Sequence, residues 1–187
     1  MRSLRRLLIA SVMTTVLVVL VACQGTISVN ARFRDCKIEF ADETVPDGAP
    51  SPMAAYLNEV SAFTGMPFVQ VPAAEIESHF DPDRSTLLIQ DLVGGDPGVV
   101  GTEQPTAMIV DRDGNNVIVS TVIKIRPGSD PAVRRHELGH LFNLAHDRFS
   151  ALMRPYPAVG SDFTPIERHV MKMMAERSSC ATADNRP

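Results

Sequence analysis

The sequence predicts an α+β fold in one domain. Two observations carry this. After an apolar leader is set aside, about 160 residues remain, enough for a single domain with a real core. Short alternating or apolar runs, read as strands, are interspersed with three segments that carry helix start or stop signals. There is no internal repeat and no long low-complexity tract. Net charge is −4, with 18 basic and 22 acidic residues, no Trp and two Tyr. With no basic stripe, nucleic-acid binding has no support.

The leader comes first. "MRSLRR" is basic, and Leu7 to Ala22 form a continuous apolar run, the build of a secretory signal peptide over residues 1–22. The run is short for a membrane span, which needs about 20 residues. Its end, Leu20-Val21-Ala22-Cys23, resembles the bacterial lipobox, which implies a lipid on Cys23 and a membrane-anchored protein facing outside the cytoplasm. An ordinary cleaved signal or an uncleaved anchor exports the domain equally. Residues 23–34 read as a polar tether from lipid to domain, and residues 35–187 as the domain itself.

Within the domain, "CKIEFA" alternates and predicts a first strand. Ser51 to Gly65 is amphipathic and ends in Gly, as a helix does. "PFVQVP" and "STLLIQDL" are strand candidates, and "PGVVGTEQP" a short edge strand. "TAMIVDRDGNNVIVSTVIKI" predicts two strands around a polar turn. An EF-hand reading of "DRDGNN" fails, because the Gly is misplaced and Val122 stands where Glu is needed. "TPIERHVMKMMAERSSC" predicts a closing helix, capped by Thr164 with Pro165 in its first turn.

Between them lies "RRHELGHLFNLAHD", Arg134 to Asp147, which holds three of the chain's five His. Ser129 or Asp130 can cap this helix and Pro131 suits its first turn. His136 and His140, four apart, share a helix face, with Glu137 beside the first. His146 joins them only if the helix stops and the chain doubles back. Asn143 stands where that turn must fall, and Asn tolerates the left-handed conformation better than any residue but Gly. Three imidazoles suit Zn²⁺ and leave a fourth position open, the arrangement of a catalytic zinc. Glu137 is then placed as general base for a zinc-activated water.

"SALMRPY", Ser150 to Tyr156, follows. An HExxHxxGxxH signature with a Met-containing turn marks the metzincin metalloproteases, and this chain resembles that clan, most of all its matrixin-like members. The resemblance implies a twisted mixed sheet with about three helices, the zinc helix followed by the Met-turn and a C-terminal helix. It implies that His136, His140 and His146 bind zinc, that Glu137 is the catalytic base and that Met153 floors the site. Residues from Arg154 to about Phe163 would wall the substrate pocket, with Arg154 and Tyr156 shaping it. Two features depart from the pattern: Asn143 replaces the usual Gly, and Asp147 after the third His is closer to the adamalysin-like branch. Tyr156 lies three residues after Met153, one more than in astacin-like proteins.

The expected function is a zinc endopeptidase that acts on a peptide or protein substrate as a monomer. A zinc hydrolase acting on cell-wall peptides and a non-catalytic metal-binding lipoprotein are the alternatives, and the intact Glu137 argues against the latter. With Cys23 lipidated, Cys36 and Cys180 remain to pair as a disulfide in an oxidising compartment. His79 and His169 lie outside the motif and receive no function.

Overall fold

The computed structural model describes residues 31–77, 83–96, 98–111 and 114–178. Six strands form one sheet: β1 (Ala31–Phe33), β2 (Ile38–Asp42), β3 (Phe68–Gln70), β4 (Thr86–Asp91), β5 (Gly101–Val110) and β6 (Asn116–Ile125). The helices are α1 (Ala54–Thr64), α2 (Ala73–Glu77), α3 (Pro131–Leu141) and α4 (Pro165–Arg177). β3, β2, β4 and β6 lie side by side and parallel, and β5 runs antiparallel along the far side of β6. β1 also pairs parallel with β6, at Asn116 to Ile118, just before the stretch that pairs with β4. The sheet is therefore mixed, with β5 as its antiparallel edge.

One continuous core sits between sheet and helices. Alternate residues of a strand share a face: Ile38 and Phe40 of β2, Leu87 and Ile89 of β4, and Ile123 and Ile125 of β6 pack with Leu57 and Val60 of α1, Leu138 and Leu141 of α3, and Met171 and Met174 of α4. Phe142, just past α3, meets Phe33 edge-on at 5.1 Å and Phe68 at 6.5 Å, which anchors the helix end in the core. Arg135 of α3 holds Glu59 of α1 at 3.0 Å.

The expected helices form, with Gly65 left-handed at φ 75° behind α1 and a complete capping box of Thr164 and Glu167 opening α4. Three differences from the sequence reading stand out. The tether expected over 23–34 gives way to a strand at Ala31: three residues are too few to show a period, and only pairing with β6 makes them a strand. The segment "AAEIE" forms the short helix α2, making four helices among the described residues. The short edge strand and the strand after it are one ten-residue strand, β5, irregular between Pro105 and Met108. Pro105 is tolerated there, because a proline fits an edge strand or a bulge.

The turn at Asp111 to Asn115 is a hairpin turn. The Asp111 carboxylate accepts the Asn115 backbone N–H at 2.9 Å and pairs with Arg32 at 2.7 Å. No helix among the described residues is long and apolar enough to cross a membrane.

Candidate metal centre

The geometry starts at the cap of α3. Asp130 accepts the Ala132 N–H at 2.8 Å, while the Ser129 hydroxyl donates to the Arg126 carbonyl at 2.7 Å. Of the two candidate caps, Asp130 is the one used. Pro131 opens the helix, where a missing N–H costs nothing.

The helix ends at Leu141, and Asn143 takes φ 59°, the one non-glycine with positive φ among the described residues. Its N–H donates to the His140 carbonyl at 2.7 Å, and the Leu144 N–H donates back to the Gly139 carbonyl at 3.0 Å. The chain reverses there. Reversal brings His146 beside the helix face that carries His136 and His140.

The three Nε2 atoms form a triangle with sides of 2.9, 3.1 and 3.3 Å. His136 Nδ1 lies 2.8 Å from the Leu152 carbonyl, and His140 Nδ1 lies 2.7 Å from the Leu144 carbonyl. A carbonyl only accepts, so both Nδ1 atoms carry the proton and donate. In the neutral rings both Nε2 atoms are then bare lone pairs, and their contact is no hydrogen bond. Burial holds His136 below the ordinary histidine range and pushes His140 down to about 4, so neither ring gains a second proton at neutral pH. Bare lone pairs crowded together call for a shared cation. Nitrogens bound tetrahedrally to one zinc at about 2.0–2.1 Å stand roughly 3.4 Å apart, and the triangle is close to that. These three His are the group among the described residues that could hold a metal ion.

The frame behind the ligands is a hydrogen-bond relay. Glu167 of α4 accepts the Ser150 hydroxyl at 2.5 Å. Ser150 Oγ in turn accepts the N–H groups of Leu152 at 3.1 Å and Met153 at 2.8 Å. The Leu152 carbonyl then receives His136 Nδ1–H. Acceptors of this kind fix a ring's tautomer and orientation. Met153 is 1 % exposed and packs on α3 at Gly139, where a Cβ would lie 2.5 Å from its Sδ. Nothing in the local sequence marks Gly139 as the gap that Met153 fills.

Glu137 is 3 % exposed, and its Oε2 is buried without a hydrogen-bond partner. Burial, and then the nearby charge of Glu103, push its carboxyl up to about 8. Glu103, on β5, is itself pushed up to about 7 by burial, and its Oε1 is likewise buried without a partner. Gly101 lies two residues before it on the same strand. A Cβ there would sit 2.9 Å from Glu137 Cδ and 2.8 Å from Val133 Cγ1. Glu103 and Gly101 escaped the sequence reading, because only the edge pairing of β5 beside α3 brings them to this site.

These groups line a cleft of about 350 Å³ between α3 and β5, which includes all three His, Glu137, Glu103 and Tyr156. Tyr156 stands at its mouth, 72 % exposed. Arg154 is exposed, donates to the Ala151 carbonyl at 3.2 Å and does not line the cleft. Cys36 is half-buried in the bend between β1 and β2. Cys23, Cys180 and His79 lie outside the described residues, and His169 is an exposed position on α4, remote from the metal set in sequence and absent from the cleft lining.

No family model matches the chain, and no curated protein matches it by sequence. Among solved structures it is similar to a zinc-dependent peptidase from Methanocorpusculum labreanum, at 16 % identity and a TM-score of 0.41, over 72 % of this chain and 99 % of that one.

Proposed function

We propose that the protein is an exported, zinc-dependent endopeptidase of the metzincin kind. One observation carries the reading: three imidazoles converge through bare Nε2 atoms beside a buried, unpartnered carboxylate in an open cleft. His136, His140 and His146 would hold the zinc, which when bound supplies an electrophile for a carbonyl and lowers the pKa of a water.

The chain's own residues do the rest. The edge of β5 offers backbone groups to an extended peptide, which adds to the sheet as a further strand. Glu137 takes the proton of the attacking water at its free oxygen and returns it to the leaving amine. A carboxyl that burial inclines to hold a proton is suited to that return. Met153 floors the site from below Gly139. Tyr156 borders the cleft as a wall of the substrate pocket.

The test separates ligand from base. Glu137→Ala keeps zinc and fold but loses about 10²–10⁴-fold in activity, or roughly 3–5 kcal/mol of barrier. His140→Ala and His146→Ala lose zinc and activity together. Full zinc and full peptide cleavage in His146→Ala would overturn the assignment. For location, the reading places the protein on the outer side of a membrane through lipid on Cys23, supported by the leader sequence. Unchanged processing and detergent partitioning of Cys23→Ala would remove that part.

A further inference from the structure

Glu103 has no role in the chemistry above, yet it stands in the cleft where that chemistry would occur. Strand alternation puts Gly101 and Glu103 on one face of β5, the face that meets Val133 and Glu137. Glu103 Oε1 is buried without a hydrogen-bond partner, and so is Glu137 Oε2. Two carboxylates within electrostatic reach of each other, each with a buried bare oxygen, are costly unless something positive lies between or beside them. Apart from a cation held by the three His, nothing among the described residues supplies it: no Lys or Arg lines the cleft, which adds Asp96 to its acids. The metal set does not recruit Glu103 either, since it comprises the three His alone.

We propose that Glu103 is a specificity-determining residue that binds a cationic group of the substrate, an ammonium or guanidinium, beside Glu137 in the cleft. The inference rests on the peptidase reading of the site. Two sources present that chemistry on a peptide, a Lys or Arg side chain and a free α-amine. A desolvated carboxylate paired with such a cation discriminates strongly against a neutral isostere, whereas a solvated pair does not.

The test uses the full-length, zinc-loaded protein and paired peptides. One set exchanges Lys for norleucine at each position around the cut, and the other compares free with acetylated N-termini. We expect kcat/KM to favour the cation roughly 10-fold or more at one position or at the N-terminus. Glu103→Gln removes the preference, and Glu103→Arg turns it toward Glu. A parent protein that prefers neither Lys nor a free amine overturns the proposal, as does a preference that survives Glu103→Gln intact. If no peptide is cut, the peptidase reading falls, and anisotropy with the same labelled peptides still decides this one. Tighter binding of cationic peptides, lost in Glu103→Gln, supports the cation site, and equal binding overturns it.

Discussion

Gly101→Ala is the smallest change that reaches the proposed base without touching a ligand. The glycine sits at an ordinary strand φ, so alanine meets no backbone strain. Its Cβ, however, would lie 2.9 Å from Glu137 Cδ and 2.8 Å from Val133 Cγ1. Carbon contacts settle near 3.5–4.0 Å, so the carboxylate must retreat by roughly 1 Å. Misplacement on that scale costs about 10²-fold in rate, or about 2.7 kcal/mol of barrier. The three His are untouched, so metal content is expected to match that of the parent. The assay is kcat/KM on one peptide, with metal content and the melting curve measured on the same preparation. Gly101→Ala with normal zinc, a normal melt and full activity would refute the placing of Glu137 as base.

Three further outcomes follow from the geometry. Asn143→Gly keeps zinc affinity and fold, whereas Asn143→Val, forced to φ 59°, loses about 1–3 kcal/mol of stability by chemical denaturation, with weaker zinc binding. Glu103 has its folded pKa raised to about 7 from the ordinary 4.5, so the folded state holds the extra proton between those values and stability falls as pH rises through that window. In chelator-treated protein Glu103→Gln therefore melts higher than the parent at pH 8, and the gap closes as the pH falls toward 4.5. Cys36 is a free thiol among the described residues and Cys180 lies outside them, so their pairing is expected only from export to an oxidising compartment. Non-reducing peptide mapping checks it; the bond is worth at most about 5 kcal/mol, and two freely alkylated thiols in exported protein would exclude it.

What the sequence made legible was local. His136 and His140 declare a shared face by spacing alone, and Asn143 declares a turn because few residues accept its backbone. The capping of α3 by Asp130 and of α4 by Thr164 is written in adjacent residues. What stayed hidden depends on partners distant in the chain. β1 is a strand only because β6 lies alongside it. Gly139 matters because Met153 comes to rest on it, and Gly101 because β5 passes over Glu137. Glu103 looks like any surface acid until its strand is laid at the sheet edge next to α3. In each case the signal is a contact, and one sequence read alone carries no record of contacts.

The relay from Glu167 through Ser150 to the Leu152 carbonyl makes the last helix a part of the metal centre. A ribosome makes His136, His140 and His146 well before it reaches Glu167. A growing chain thus owns every ligand while the brace that aims His136 is still unmade. The hydrogen bonds that orient the His136 ring are complete only once the C-terminal helix has docked.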